Sequence, residues 1–286
     1  KDLVFTKDTL VADIHFFSDD NPSLIAQKAL RVNLSDLASM AAEPEGYLLS
    51  LALPKLNFNH EEWIKKFASG LKEDQDQYCW KLWGGDTVAT TGPITISVTA
   101  VGLVKKGRLI SRSTAKPGDS IYVSGTLGDA AAGLEVIKEN FDRFKYKDLI
   151  KRYYLPQPRL KLAIELAELV TSMMDISDGL LGDLGHICKS SSVGAEIFAN
   201  NIPISLALNN LFKTRSDYKK LKWIGGDDYE LLFTLPYESE DKIDEISKRN
   251  GILLTKIGNI TTSKKIKLLG ADRKEIETER EGYRHF

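Results

Sequence analysis

The chain between residues 114 and 124 reads Thr-Ala-Lys-Pro-Gly-Asp-Ser-Ile-Tyr-Val-Ser, and this stretch determines the expected organisation of the fold. Its first part, Ala-Lys-Pro-Gly-Asp at residues 115–119, is typical of a turn, because proline fixes φ and glycine tolerates positive φ. The β-favouring residues 121–124 that follow predict a strand. We therefore predict a domain boundary here, with a first domain over residues 1–114 and a second over residues 115–286.

Strand and helix patterns alternate on both sides of this boundary. Apolar residues three or four positions apart predict helices, and alternating or continuous apolar runs predict strands. The predicted helices cover residues 23–42, 63–71, 130–138, 160–169, 180–188 and 240–249. The predicted strands cover residues 3–5, 47–53, 81–83, 94–100, 121–124, 195–198, 229–234 and 252–256. The pattern indicates a mixed α/β (α+β) fold in two domains, with residues 47–53 as a buried strand.

Length and composition exclude several classes of protein. The 286 residues carry 39 Lys and Arg against 40 Asp and Glu, so no basic field is available to hold a nucleic-acid backbone. The longest mainly apolar stretch, residues 47–53, is far shorter than the ~20 residues that cross a bilayer, so a membrane partner is not expected. Cys79 and Cys188 lack Cys or His neighbours at metal-ligand spacing, which favours reduced thiols in a cytoplasmic protein over disulfides or zinc.

The candidate functional residues in this sequence are mainly aspartates. Asp119, Asp129 and Asp183 each follow glycine, and we interpret them as turn or helix-cap residues. Five other aspartates stand among apolar or small neighbours, and we expect them to be buried or nearly so. They are Asp8, Asp36, Asp175, Asp178 and Asp86, the last of which follows Gly-Gly at the expected end of a strand.

Buried carboxylates without a cation are costly, and few basic residues lie near these five in the sequence. A divalent ion is therefore a reasonable partner, and oxygen ligands without Cys or clustered His favour Mg²⁺ over zinc. Because Mg²⁺ usually takes one or two carboxylates together with substrate phosphates, several such aspartates indicate a phosphate-rich ligand. No glycine precedes a lysine, which excludes a Walker A loop, and no protein-kinase set or Gly-x-Gly-x-x-Gly fingerprint occurs.

Seven segments match one family in the same order along the chain. They are Asp8-Thr-Leu-Val-Ala-Asp-Ile-His15-Phe16, Lys28-Ala-Leu-Arg-Val-Asn-Leu-Ser-Asp36-Leu-Ala, Gly84-Gly-Asp-Thr87, Ser111-Arg-Ser-Thr-Ala-Lys-Pro-Gly-Asp119, Asp175-Ile-Ser-Asp-Gly-Leu180, Gly225-Gly-Asp-Asp-Tyr-Glu-Leu231 and Gly282-Tyr-Arg-His-Phe286. Each segment is weak alone, but together they resemble thiamine-monophosphate kinases, of the aminoimidazole-ribonucleotide-synthetase-like superfamily, over nearly the whole chain. His15 and the closing segment are particular to the thiamine branch.

The resemblance implies a fold and an activity. The implied fold has an N-terminal sheet that forms a barrel across a homodimer and a C-terminal mixed-sheet domain, with ATP between the two domains. The implied activity is ATP-dependent phosphorylation of thiamine monophosphate to thiamine diphosphate, the last step of thiamine diphosphate biosynthesis, with several Mg²⁺ ions. The attacking phosphate has a second pKa of about 6, so it is largely ionised at neutral pH and needs no general base.

Site residues carry over from the family position by position. The implied metal ligands are Thr6, Asp8, Asp36, Asp86, Asp175 and Asp178, of which Asp8, Asp36, Asp86 and Asp178 are the catalytic ones. Asp8 and Asp86 are implied to share one metal region. The implied ATP contacts are Gly85, Asp86, Arg112 and Ser177. The implied contacts to thiamine monophosphate are His15, Asp227 and Tyr283, since a carboxylate and an aromatic ring both suit a cationic thiazolium.

Three departures from the family pattern bear on this site. Lys7 stands where the family has Thr, and Asp227 stands where it usually has Glu, which shortens the reach of the carboxylate. The family's Gly-Asp-Asp segment before the first strand has no counterpart, so we expect upstream residues that complete the site. Two alternatives remain open: another ATP-dependent synthetase of the same superfamily, and a non-catalytic nucleotide-binding subunit.

Overall fold

A computed structural model describes residues 1–56 and 58–278 of the chain. Two units, Lys1–Leu109 and Ile110–Phe286, each have their own β-sheet. The division lies a few residues before the turn at residues 115–119. The predicted mixed α/β fold in two parts is confirmed.

The first unit is a sheet with helices on one face. Its strands are β1 (Asp2–Val11), β2 (Glu43–Pro54), β3 (Lys81–Thr90) and β4 (Thr95–Val104), and its helices are α1 (Pro22–Ser39) and α2 (His60–Tyr78). The order across the sheet is β1-β4-β2-β3, in which β2 and β3 are parallel and the other pairs antiparallel. Helix α1 packs on β1 and β4 and on α2. This order places β1 and β3 at opposite edges of the sheet.

The two faces of this sheet have different environments. Val4 and Leu10 are buried on the face that α1 covers, whereas Leu3 and Phe5 alternate with them and are exposed. The strand at residues 47–53 alternates in the same way, so the prediction of a fully buried strand there is wrong. A buried strand would need cover on both faces, and the described chain covers only one. The exposed apolar side chains of the sheet are Leu3, Phe5, Leu48, Leu82, Trp83 and Val88.

A buried ion pair fixes α1 against α2. Arg31 donates from Nε to Asp74 Oδ2 and from Nη2 to Asp74 Oδ1, each at 2.8 Å, and Gln27 Nε2 donates to Asp74 Oδ1 at 3.0 Å. A bidentate pair of this kind sets the position of the helix along its axis as well as its distance. Helix α1 carries Asp36 five residues after Arg31, about one and a half turns along, so this pair helps to set where that carboxyl group lies.

The second unit is a mixed sheet surrounded by shorter helices. Its strands are β5 (Ser120–Ser124), β6 (Ser172–Asp175), β7 (Gly194–Phe198), β8 (Leu231–Leu235), β9 (Leu254–Thr261) and β10 (Ile266–Leu269), in the order β10-β7-β9-β5-β8-β6. Its helices are α3 (Asp129–Lys138), α4 (Lys147–Tyr154), α5 (Leu160–Leu166), α6 (Leu180–Ser191), α7 (Leu206–Thr214), α8 (Leu221–Ile224) and α9 (Ile243–Asn250). Strands β10 and β7 are parallel, and the other paired strands are antiparallel.

Most predicted elements of the second unit are present, with shifted ends, but several were not predicted, among them β6, α4, α7 and α8. Strand β6 is only Ser-Met-Met-Asp and offers no period to recognise, while α4 carries a charged, short sequence that resembles a loop. Among the described residues, none of the helices has the length and apolar character needed to cross a bilayer.

Candidate active site

In the first unit, Asp8 on β1 and Asp36 on α1 come together. Thr6 and Asp8 lie on the strand face that α1 covers, in alternation with exposed neighbours. The two carboxyl groups share a hydrogen bond, and the Thr6 hydroxyl donates another to Asp36 Oδ2. Three of the predicted metal ligands therefore meet between one strand and one helix.

The environment of this pair disfavours two negative charges. Burial raises the pKa of Asp8 to about 7, and the neighbouring Asp36 carboxyl group adds to the rise. Burial also raises the pKa of Asp36, although hydrogen bonds from Thr6 and Asp8 oppose the effect. Adjacent carboxylates ionise together only where a cation compensates them. This set of oxygen donors therefore fits a hard divalent ion such as Mg²⁺.

His15 lies on the turn that follows β1. Its Nδ1 accepts a hydrogen bond from Val11 N at 3.0 Å, and Lys28 Nζ, on α1, donates to the His15 carbonyl oxygen at 3.2 Å. Asp13 in the same turn has a φ of 63°, a conformation that non-glycine residues seldom adopt. The imidazole is half-buried, so it is neither a core residue nor a fully solvated one.

Asp86 does not have the environment predicted for it. It lies within β3 instead of at the end of the strand, and it is exposed. The prediction that Asp86 is buried is therefore wrong for the described chain. The physical reason is that β3 is an edge strand, with a neighbour on one side only.

The strand register separates Asp86 from Asp8 within one chain. One row across the sheet aligns Asp8 with Val98, Leu49 and Gly85, which puts Asp86 in the next row. Successive side chains of a strand point to opposite faces, so the side chains of Asp8 and Asp86 project from opposite faces of the sheet. Three inter-strand spacings also put their backbones about 14 Å apart. The fold thus brings Asp8 to Asp36 but not to Asp86.

Gly85 has a packing reason to be glycine. A Cβ atom at this position would lie 1.9 Å from the Leu49 carbonyl oxygen, which real structures do not tolerate. At the adjacent Gly84 the nearest atom would be Leu48 Cδ2, at an ordinary 3.8 Å. The close approach of β3 to β2 explains why residue 85 is glycine. The contact of Gly85 with ATP stays a prediction.

Lys7 points away from the carboxyl pair. Its Nζ donates to Ser97 Oγ at 2.7 Å, on the face of the sheet opposite α1. Thr9 Oγ1 lies 3.0 Å from the same hydroxyl oxygen, which identifies that face. The lysine that replaces the family's threonine therefore does not supply the cation for Asp8 and Asp36.

In the second unit, three predicted site residues lie at the end of β6 and in the short loop that connects it to α6. Asp175 is the last residue of β6 and is buried, and Ser177 and Asp178 are half-buried. Asp183, in the first turn of α6, reaches back to this loop. Its Oδ2 accepts hydrogen bonds from Ser177 N, Asp178 N and Gly179 N at 3.0, 3.0 and 3.1 Å. A single carboxylate oxygen therefore holds the backbone of the loop.

Asp183 is also part of a cluster of metal-ligand type. Oxygens of Asp178 and Asp183 and a ring nitrogen of His186 lie within 4.8 Å of one another, a group identified within residues 1–56 and 58–278. Asp183 is 1% exposed, and burial together with the charge of Asp178 raises its pKa to about 7. The interpretation of Asp183 as a helix-cap residue agrees with its position in the first turn of α6. Its bonds to the preceding loop were not foreseen.

A second loop, residues 225–229, lies against the first one. Asp227 N donates to Ser177 O, and Tyr229 N donates to Ile176 O, both at 2.8 Å. Asp227 and Tyr229 have φ values of 67° and 51°, and such strained residues occur often at functional sites. The Tyr229 hydroxyl lies 3.4 Å from Asp227 Oδ1. The structure thus brings the predicted substrate residue Asp227 beside the predicted ATP residue Ser177.

Asp228 anchors the second loop to the start of α3. It is 1% exposed and accepts hydrogen bonds from Gly128 N at 2.6 Å and from Ala130 N at 3.2 Å. Burial raises the pKa of Asp228 to about 8. Asp228 is not among the predicted site residues, although it lies in the Gly-Gly-Asp-Asp segment of residues 225–228.

Glu230 fixes the other end of this loop at the start of β8. It accepts hydrogen bonds from Ser124 Oγ at 2.6 Å, Arg159 Nε at 2.7 Å and Arg152 Nη2 at 2.9 Å. Burial alone would raise the pKa of Glu230, but the charges of Arg159 and Arg152 hold it below its ordinary value. This buried cluster is a support for the loop and was also missed from the sequence.

The two remaining predicted residues have less structural context. Arg112 is exposed, and its carbonyl oxygen accepts a hydrogen bond from Ser191 Oγ at 3.2 Å. Tyr283 lies outside the described residues.

Comparisons with known proteins identify the family. Residues 1–104 match the model of the AIR synthase related protein N-terminal domain, and residues 116–270 match that of the C-terminal domain. The chain is 40% identical to the thiamine-monophosphate kinase of Escherichia coli (strain K12) over 289 aligned residues, which span 99% of this chain and 86% of that one. This chain belongs to the thiamine-monophosphate kinase family. The predicted resemblance is therefore confirmed.

Solved structures of the family agree with this assignment. The crystal structure of thiamine-monophosphate kinase from Stenotrophomonas maltophilia K279a superposes with a TM-score of 0.88 at 38% identity, covering 96% of this chain and 86% of that one. The structure of AaThiL complexed with AMPPCP and TMP superposes with a TM-score of 0.88 at 31% identity, covering 99% and 87% of the two chains. The chain therefore has the fold of thiamine-monophosphate kinases and is an enzyme of the kinase type.

Proposed function

We propose that this chain transfers the γ-phosphoryl group of ATP to thiamine monophosphate, giving thiamine diphosphate and ADP. The observation that carries the proposal is the shared, half-buried carboxyl pair of Asp8 and Asp36, placed in a chain of the thiamine-monophosphate kinase family. A related kinase has been solved with AMPPCP and TMP, which supports the same pair of substrates here. Residues 1–114 and 115–286 are the proposed domains of the enzyme.

Charge is the physical obstacle in this reaction. ATP and thiamine monophosphate both carry negative phosphates, so their approach is unfavourable unless cations lie between them. Bound Mg²⁺ would neutralise the phosphates and stabilise the equatorial oxygens during transfer. The proposed ligands are Thr6, Asp8 and Asp36 in the first unit, Asp175 and Asp178 in the second, and Asp86. Of these, Asp8, Asp36, Asp86 and Asp178 are the proposed catalytic residues.

Nucleotide contacts are assigned to both units. Ser177 lies in the loop between β6 and α6, beside Asp178, and Gly85 lies in β3 next to Asp86. Arg112 is exposed and carries a guanidinium that suits a phosphate in two-pronged geometry. We assign these three residues, with Asp86, to ATP.

The thiamine moiety requires groups that recognise a cationic ring. The Asp227 carboxylate lies beside Ser177 on a strained loop, and it suits charge pairing with the thiazolium. His15 is half-buried on the turn after β1. Tyr283 would add a ring face for cation–π attraction. We assign these three residues to thiamine monophosphate.

A homodimer is the proposed assembly. The face of the first sheet opposite α1 exposes Leu3, Phe5, Leu48 and Trp83, which range from 48% to 64% exposed. Apolar patches and unpaired edge strands of this kind commonly mark a protein interface. A second copy closing a barrel on this face would cover it, and because Asp86 lies on the same face, its proposed role depends on the dimer. A cytoplasmic location stays a prediction.

Product analysis tests the proposed function. The full chain is incubated with ATP, thiamine monophosphate and Mg²⁺, and the thiamine products are separated by chromatography. Formation of thiamine diphosphate in step with ADP is the expected result, and ADP formation that requires a different acceptor would favour a synthetase of the superfamily. ATP binding without turnover, unaltered in Asp36→Ala and Asp178→Ala, would instead favour a non-catalytic nucleotide-binding subunit.

A further inference from the structure

We propose that Asp183 is a positioning residue of the enzyme, which fixes the loop of Ser177, Asp178 and Gly179 so that this loop presents a carboxylate to a cation. The inference rests on the proposed function, because it takes Asp178 as a metal ligand and Ser177 as a nucleotide contact. Asp183 itself is 1% exposed and would touch neither substrate.

The backbone N–H groups of the loop all point to one side chain. Three consecutive N–H groups converge on one oxygen of Asp183, at 3.0, 3.0 and 3.1 Å. Three convergent N–H groups before a helix form an anion site in many phosphate-binding proteins. Here the anion is the carboxylate of Asp183, which belongs to the helix that follows the loop. The N–H groups of this loop are thus already bonded inside the protein and are not offered to a phosphate.

The loop is suited to bind a cation and not an anion. With these N–H groups satisfied internally, the polar groups that the loop can offer a ligand are the half-buried side chains of Ser177 and Asp178. A carboxylate there attracts a cation and repels phosphate. The loop therefore contributes to nucleotide binding through a bound cation, and Asp183 is what prevents it from acting as a phosphate cradle.

The position of the Ser177 loop also affects the position of the second loop, residues 225–229. Gly179 has a φ of 111°, and a Cβ there would lie 2.7 Å from the Ile224 carbonyl oxygen, so this part of the chain is tightly confined. Ser177 O accepts a hydrogen bond from Asp227 N at 2.8 Å. Displacing the first loop would therefore also displace Asp227, and one substitution at Asp183 would affect both the cation and the thiamine contact.

Asp129 provides a matched control. It lies in the first turn of α3, as Asp183 lies in the first turn of α6, and it is 3% exposed. Its carboxylate accepts hydrogen bonds from Thr126 Oγ1 and Ser205 Oγ, each at 2.6 Å. Removing it costs buried hydrogen bonds to a carboxylate, here from two hydroxyl groups, without removing a bond to the Ser177 loop.

The experiment measures thiamine diphosphate formation as a function of Mg²⁺ concentration, together with the Tm, for wild type, Asp183→Ala, Asp183→Asn and Asp129→Ala. We expect both alanine variants to lower the Tm. Only Asp183→Ala should raise the Mg²⁺ concentration for half-maximal rate, by about tenfold or more, and lower kcat at saturating Mg²⁺. Asp183→Asn should recover part of this loss, because its amide oxygen can still accept the N–H bonds.

The proposal is overturned if Asp183→Ala changes the Mg²⁺ response no more than Asp129→Ala does. Should Asp183→Ala fail to fold, Asp183→Glu carries the same test, since it keeps the charge but displaces the oxygen; a wild-type Mg²⁺ response in that variant would contradict positioning. Asp178→Asn separates this proposal from the proposed function. If Asp178→Asn leaves the Mg²⁺ response unchanged, the metal role of Asp178 fails, whereas loss in Asp178→Asn without loss in the Asp183 variants removes only the positioning role.

Discussion

The carboxyl groups of Asp8 on β1 and Asp36 on α1 share a hydrogen bond in a half-buried position between strand and helix. The arrangement is costly without a cation, because burial and mutual repulsion both disfavour two ionised carboxylates. It persists because the sheet register fixes Asp8 and the buried Arg31–Asp74 pair fixes the helix that carries Asp36. Either a shared proton or a bound cation relieves this repulsion, and a cation would allow both carboxyl groups to ionise.

Thermal unfolding with and without Mg²⁺ tests this pair. Burial raises the pKa of Asp8 from its ordinary value of 3.8 to about 7, so the folded state holds extra protons between these two values. The corresponding stability is present below the lower value and is lost as the pH rises through the upper one. We therefore expect millimolar Mg²⁺ to raise the Tm more at about pH 8 than at about pH 5, because the ion replaces the lost proton.

Asp8→Asn and the exposed Asp76→Asn provide the comparison for this measurement. Asp8→Asn removes one charge of the pair, so it should raise the Tm of the metal-free protein at the higher pH and reduce its response to Mg²⁺. Asp76 lies on the surface of α2 and should leave both quantities unchanged. Equal Mg²⁺ responses in the two variants would show that the ion binds elsewhere.

Asp228→Asn should change how stability depends on pH. Burial raises the pKa of Asp228 from 3.8 to about 8, so the stability linked to its proton is present below pH 3.8 and is lost as the pH rises through about 8. The variant has no proton to lose, and its Tm should fall less steeply than that of wild type over this window. Parallel Tm curves for the two proteins between about pH 5 and pH 9 would contradict the raised pKa.

Gly85→Ala and Gly84→Ala separate packing from nucleotide binding in β3. A methyl group at Gly85 would meet the Leu49 carbonyl oxygen, whereas one at Gly84 meets only a side chain at contact distance. We expect Gly85→Ala to destabilise the protein by about 1–3 kcal/mol, as overpacking does, and Gly84→Ala to have little effect. Chemical denaturation measures both. Equal stabilities of the Gly85→Ala and Gly84→Ala variants would mean that β3 shifts easily to make room for a methyl group. The close pairing of β2 and β3 would then not explain why residue 85 is glycine.

Asp227→Asn tests the contact with the thiazolium. Asparagine tolerates a positive φ as well as aspartate does, so the loop should keep its conformation and the protein its Tm. Loss of the charge should raise the KM for thiamine monophosphate, by about tenfold for one partly screened ion pair, and leave the KM for ATP nearly unchanged. Equal changes in both KM values would indicate a general disturbance of the site instead.

The sequence was most informative about which residues belong to the metal site of the first unit. The resemblance to the family implied that Thr6, Asp8 and Asp36 are metal ligands, and the structure brings them together. The exposure of Asp86 could not be predicted from its sequence motif. Whether a strand lies at the edge or in the centre of a sheet depends on the pairing of distant strands, and a Gly-Gly-Asp sequence is the same in both positions.

Supporting residues were harder to foresee than site residues. Asp183, Asp228 and Glu230 act through backbone N–H groups or arginines that folding brings to them, at sequence separations from a few residues to about a hundred. No periodicity marks such contacts. The short β6 and the charged α4 were not predicted for a related reason. Tertiary packing determines their conformation more than local preference does.

Titration with Mg²⁺ tests most directly whether the carboxyl pair binds a catalytic cation. The rate of thiamine diphosphate formation from ATP and thiamine monophosphate is measured in wild type, Asp36→Asn and the surface control Asp76→Asn. We expect the rate to require Mg²⁺ in wild type and Asp76→Asn, and to fall at least about 100-fold in Asp36→Asn, with only partial restoration by added Mg²⁺. A wild-type rate and Mg²⁺ dependence in Asp36→Asn would contradict a metal role for the pair.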